Sequence, residues 1–165
     1  MTGRTAWTAG NGQGLTWGTL VNSADLASMA NGKTVLSSVA DIANGTALDQ
    51  FMDISAICAI SSSTIVAGAN LAFWLYLLQE DGLTYGDGQL TAGTPASITP
   101  VNTPDFLGAI PLVAAASQTT VVGDLRGLII PPGSFRVAMQ NNSGFTFTSG
   151  TQTVKYRTYN QNLNN

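Results

Sequence analysis

Any acid–base chemistry in this chain would have to run without histidine, because none occurs among its 165 residues. That removes the commonest general base, the commonest metal ligand and the triad base together. The acids nearest to a pair are Glu80, Asp81 and Asp87, spread over the segment EDGLTYGD. A glycosidase needs two carboxyls facing each other across a cleft, whereas Asp81-Gly82 is a turn dipeptide at a strand end, where solvated acids are ordinary. Acids this sparse also supply too few oxygens for a calcium loop. Cys58 sits beside Ile57 and Ile60 with no cation next to it in sequence, a setting for a packed thiol rather than a nucleophile. The run GNGQG at 10–14 lacks the strand-to-helix context of a phosphate loop. Aromatics such as Phe73, Trp74, Tyr76, Phe135, Phe145, Phe147, Tyr156 and Tyr159 could line a sugar platform, but most fall in strand-like runs where core or interface packing uses them. No catalytic residue, cofactor or metal is therefore expected.

Composition narrows the classes further. Six basic and nine acidic residues give a net charge of −3, and only 9% of residues are charged, against about 25% in ordinary domains. Arg4, Lys33, Arg126, Arg136, Lys155 and Arg157 are scattered rather than striped, so no nucleic-acid partner is expected. A hydrophobic content of 44% with little net charge opposes disorder. The apolar run over 65–78 is too short to cross a bilayer, so no membrane partner is expected, and the first twenty residues lack the apolar stretch of a secretory signal. A single cysteine excludes a disulfide scaffold. A surface of Ser, Thr, Asn, Gln, Gly and Ala is depleted in charge as the core of an interface is, which points to assembly.

The elements that must carry these residues read as follows. Residues 1–14 form an extended arm of Gly, Thr, Ala and Asn with Arg4 and Trp7 as its only docking features. A single domain follows over 15–160, and 161–165 form a polar tail. A short strand over 15–21 leads into a helix of about two turns over 23–30, capped at Asn22-Ser23 and ended by Asn31-Gly32. Beyond it, period-two patterning and regularly spaced turns predict strands over 33–39, 50–61, 71–79, 106–114, 120–130, 134–140, 145–148 and 151–159. The strand LAFWLYLLQ reads as buried on both faces. Pro131-Pro132-Gly133 and 141–144 carry strong turn chemistry and predict two hairpins. The long polar connection over 82–104 is of a length usually kept for function or interfaces. The expected fold is all-β: an antiparallel β-sandwich of jelly-roll type with about eight strands and one short N-terminal helix.

The segments NGKTVLSS (31–38), LYLLQEDGLTYGDGQ (75–89), LRGLIIPPGSFRVAMQNNSG (125–144) and TVKYRTYN (153–160) resemble, in order over about 31–160, the jelly-roll cement or decoration proteins of tailed bacteriophages. That resemblance implies a structural virion protein that binds the outer surface of a phage head and cements neighbouring major capsid subunits, made in the host cytoplasm. Its partners would be the major capsid protein and further copies of itself, a dimer ahead of a trimer. Capsid contact falls on Arg4 and Trp7 in the arm and Tyr85 and Asp87 in the long loop. Oligomer contact falls on Lys155, Arg157 and Tyr159, taken as a sheet edge. The competing classes are a head- or tail-fibre adhesin that binds glycans, a carbohydrate-active enzyme using the acids near 80–87, and a jelly-roll coat subunit.

Overall fold

The structure is a computed structural model that describes residues 4–9, 16–38, 41–79, 81, 85, 92–96, 105–150 and 152–164. Among these residues ten strands and one helical turn are laid out as β1 (Arg4–Ala9), β2 (Gly18–Val21), α1 (Ser23–Leu26), β3 (Thr34–Leu36), β4 (Ile42–Asn44), β5 (Phe51–Ile65), β6 (Asn70–Leu77), β7 (Asp105–Pro111), β8 (Ala115–Ile129), β9 (Gly133–Asn142) and β10 (Thr153–Asn164). Two antiparallel sheets face each other. The first runs β1-β10-β5-β8 with β2 also on β10, and the second runs β3-β9-β6-β7 with β4 also on β9. The all-β, sandwich-like architecture expected from the patterning is the one observed.

Alternation in the strands builds the core between the sheets. Met52, Ile54, Ala56, Cys58 and Ile60 of β5 are all buried, as are Leu71, Phe73 and Leu75 of β6 and Phe135, Val137 and Met139 of β9. These inward positions repeat every second residue, as a pleated strand requires. The other face of β6 is also covered. Tyr76 packs with Leu36, Tyr85 and Ala138, and Trp74 joins that second cluster, so the doubly apolar pattern of LAFWLYLLQ reflects burial on both faces.

Several expected elements come out differently. The helix stops after one turn: Ala27 leaves helical geometry at φ −59° and ψ 123°, and with Ser28 at a positive φ of 61° it makes a tight turn closed by the Met29 N–H on the Leu26 carbonyl. The turn at 131–133 does not close a hairpin: β8 belongs to one sheet and β9 to the other, so the turn carries the chain across the sandwich. The turn at 143–145 does the same, delivering Phe147 to a bridge with Ile60 rather than to a strand beside β9. Turn chemistry fixes where the chain reverses, while partners distant in sequence fix which strand it meets. Lys155, Arg157 and Tyr159 do not form a sheet edge. β10 is interior, paired with β5 through 153–159 on one side and with β2 and β1 on the other.

The arm and the tail, read separately from composition, meet in the structure. Arg4 to Ala9 pair in register with Asn164 to Tyr159. Because β5 reaches β10 only as far as the Phe51–Tyr159 pair, the last five residues of β10, 160–164, pair with β1 alone. They form a two-stranded ribbon that overhangs the sheet by roughly 16 Å at about 3.3 Å per residue.

The sandwich closes tightly where β8 crosses β7. A β-carbon at Gly123 would stand 2.2 Å from Cγ2 of Ile110, a methyl on a β-branched side chain that is 2% exposed and has no room to swing. Gly123→Ala should cost about 1–3 kcal/mol through overpacking, read as a lower urea midpoint with unchanged slope. Ile110→Val keeps the offending γ-carbon and should bring no relief, whereas Gly123→Ala in an Ile110→Ala background should cost much less. An unchanged midpoint for Gly123→Ala would remove this contact from the account.

Candidate functional site

On the outer face of the first sheet, β5 places Asp53 among otherwise apolar and small residues, with its side chain 3% exposed. Every donor around it comes from another part of the chain. Arg157 donates from Nε and Nη2 to Oδ2 at 2.9 and 2.7 Å, Tyr159 donates its hydroxyl to Oδ1 at 2.9 Å, and the Gly127 N–H donates to the same oxygen at 2.9 Å. Gly127 can do so because the β5–β8 register slips between Met52 and Ile54. The extra residue on β8 is absorbed by a positive φ of 66° at Gly127, a glycine bulge that aims its N–H at the carboxylate. The surrounding rings complete the shell. The Arg157 guanidinium lies 4.7 Å from the Trp17 ring centre and the Tyr159 ring stacks on Phe51 at 5.8 Å. Burial, then the Asp53 carboxylate, pushes the Tyr159 hydroxyl pKa up. A carboxylate whose two oxygens accept four hydrogen bonds is a structural anchor.

At the rim of this face Arg126 pairs with Asp124 at 2.8 Å, and the hydrogen bond from Arg126, seconded by one from Ser55, holds the Asp124 carboxyl below the usual carboxylate range. The base of the overhanging ribbon is fastened by a second polar group. Asn160 accepts from the Gln50 N–H and donates to Asp49, while Asn44 bonds both the N–H and the carbonyl of Asp49 and the Pro131 carbonyl.

The outer face of the second sheet is covered by part of the long connection. Leu78 bridges Tyr85, Leu36 bridges Ala92 and Thr34 bridges Ala96. Tyr85 is 4% exposed, with the Arg136 guanidinium 3.9 Å from its ring centre and Arg136 paired to Asp41 at 2.5 Å. The Tyr85 hydroxyl is buried without a hydrogen bond of ordinary length and angle. Burial, then the Asp41 charge, pushes its pKa up to about 12. Burial also raises the Asp41 carboxyl, but Tyr85 and Arg136 outweigh it and hold the group below its usual range.

The residues singled out in the sequence therefore separate. Arg4 and Trp7 lie in β1, opposite Asn164 and Gln161. Tyr85 is not a surface contact: its ring is packed under Arg136, so the aromatic in the long loop fastens that loop to the sheet. Asp87 lies outside the described residues, as do Glu80 and the run at 10–14. Lys155 is exposed, whereas Arg157 and Tyr159 bond Asp53 within the chain, and the sheet edge from which an oligomer contact was expected is an interior strand. Asp53, Asn44 and Asp49 were missed. The signal for Asp53 is a lone acid in the apolar strand FMDISAICAI of a charge-poor chain, with Arg157 and Tyr159 two residues apart on one strand face.

Among the described residues no three His, Cys, Asp or Glu side chains gather as metal ligands, and no helix is long and apolar enough to cross a membrane. Comparison with models of known protein families, with curated proteins and with solved structures finds no match to the chain.

Proposed function

We propose that this is a structural virion protein of a bacteriophage, a homo-oligomer that sits on the outer surface of the head and cements neighbouring major capsid subunits. The observation that carries the reading is the β1–β10 ribbon, which runs on past the first residue of β5 and is fastened at its root by Asn160, Gln50 and Asp49. A body with a projecting arm is suited to reach a neighbouring subunit. Two features support it. The strand order, with β1 and β4 set aside, is β2-β10-β5-β8 facing β3-β9-β6-β7, with most connections passing between the sheets, as in a jelly roll built of two Greek keys. The low charge of the chain suits a surface that is covered on assembly.

The mechanism is linkage. A ligand that binds the assembled shell and not free subunits raises the work of opening the shell, and an oligomer with one arm per copy bridges several subunits at high effective concentration. The test mixes full-length protein and a chain lacking residues 1–14 with stripped, expanded heads and counts retained copies at low and high salt. The truncated chain should keep its sandwich, since among the described residues β1 is strand-paired with β10 alone, and retention should fall at least about tenfold, as for loss of a central anchor. With so few charges, binding should vary little with salt. Equal retention of both chains would remove the ribbon as the clamp, and release by moderate salt would show that charges hold the chain to the shell.

A further inference from the structure

Open sheet edges are templates for another strand, and proteins usually shorten, bulge or charge them. At one end of the second sheet, β7 follows that rule: it has seven residues and ends at Pro111, which has no N–H to offer, and its register against β6 slips between Phe73 and Trp74. β8, at the end of the first sheet, is bulged at 126–127 and carries Asp124 and Arg126, but it is not shortened. It runs for 15 residues, pairs with β5 on one side only, contains no Lys or Pro, and is uncharged from Ala115 to Gly123. Among the described residues it is the one long strand with an unpartnered edge. Its outward-facing residues then have an order that reads alike from both ends. Val122 (64% exposed) and Asp124 lie on one side of Leu125, and Arg126 and Ile129 (80% exposed) on the other.

We propose that β8 pairs antiparallel with β8 of a second copy about a two-fold axis at Leu125, joining two copies of the first sheet into one continuous sheet. The bulge makes this register work. Residues 126 and 127 together oppose the single residue Asp53 on β5, so Leu128 aligns with Met52 and Leu125 with Ile54. With that pair counted as one step, the axis brings Asp124 of each copy opposite Arg126 of the other and Val122 opposite Ile129. Opposite charges and apolar side chains facing across strands are the pairs that stabilise a sheet, and one patch serving both partners is the isologous contact of a two-fold dimer. This goes further than the oligomeric part of the function proposed above, on which it rests, by naming the contact and its symmetry.

The experiment is a charge exchange read by the mass of the free protein in solution, with no heads present, so that its failure leaves the shell test untouched. Wild type at micromolar concentration should have twice the 17.1 kDa chain mass. D124R places like charges opposite each other in the homodimer, as does R126D, and each should weaken self-association by about tenfold or more. An equimolar mixture of the two variants restores opposite charges in a heterodimer and should recover the doubled mass, which a mere folding defect in either would not allow. I129K, at an exposed apolar position, should weaken association without touching the charges. A wild type that is monomeric or trimeric, variants that stay dimeric, or folded variants that remain monomeric when mixed would each overturn the proposal.

Discussion

Asp53→Ala should lower the stability of the protein by about 3 kcal/mol, because it removes the acceptor of a buried ion pair and leaves the charged partner behind. The carboxylate is 3% exposed while Arg157 is 24% exposed, so part of the guanidinium can recover water and the loss belongs near the lower end of the range for breaking such pairs. The Gly127 N–H and the Tyr159 hydroxyl lose their acceptor at the same time, and an unsatisfied buried donor costs more than the bond it made. Against a total stability of roughly 5–15 kcal/mol this is a large fraction. For a chain of this size it corresponds to a thermal midpoint lower by about 6–12 °C. Asp53→Asn keeps an oxygen for Gly127 or Tyr159 but loses the charge opposite Arg157, and should fall between the two. Arg157→Met removes the cation and leaves the carboxylate buried with two neutral donors. In a double-mutant cycle the pair Asp53→Ala and Arg157→Met should cost clearly less than the sum. A midpoint for Asp53→Ala within a degree or two of wild type would show that the network is not an anchor.

Why this centre escaped sequence reading, when much of the fold did not, follows from range. Apolar patterning is local, so β5, β6 and β10 could be read from Phe51, Ile57 and Ile60, from the run LAFWLYLLQ, and from the alternation at Val154, although Ile57 proves exposed and the buried face of β5 is the one carrying Met52 and Ile54. Burial of Trp74 and Tyr76 on the opposite face was legible in the same way, as an apolar run without alternation. Pairing is not local. The turn at 131–133 was readable from Pro131 and Gly133, yet its flanking strands lie in different sheets, since β8 finds β5 and β9 finds β6. β1 has almost no apolar pattern, and its existence depends on a partner more than 150 residues away at Asn164. The Asp53 centre is of the same kind: Arg157 is 104 positions away, Tyr159 is 106 and Gly127 is 74. Tyr85 stood out as an aromatic in a long polar loop. Whether it faced out or in depended on Arg136 and Leu36, which only the folded sheet brings beneath it.

The stability of the protein should be limited on the alkaline side, with a sign and a window set by four groups that ionise to anions. Burial pushes the Cys58 thiol up to about 12, burial with the Asp41 charge pushes Tyr85 up to about 12, burial raises Tyr156, and burial with Asp53 raises Tyr159. In each case the folded chain holds the proton more tightly than the unfolded chain. The stabilisation is therefore whole below the ordinary values of about 8.5 for Cys and 10 for Tyr, and decays as the pH climbs from there towards about 12. On the acid side Asp41 and Asp124 are lowered, and their contribution is lost as the pH falls below the ordinary carboxylate range. Both are partly exposed at 38% and 33%, so that limb should be shallow. The urea midpoint should thus be nearly flat from about pH 5 to 8 and fall steeply between about pH 9 and 12. Tyr85→Phe separates titration from packing. It keeps the ring under Arg136 and removes a buried hydroxyl that makes no ordinary hydrogen bond, so at neutral pH it should be close to neutral in effect. Above about pH 10 the same variant should lose stability less steeply than wild type, because one of the groups that drives the loss is gone. Parallel curves for the two proteins over that window would mean that Tyr85 ionises as freely in the folded chain as in the unfolded one, and that the loop it fastens opens before the sandwich does.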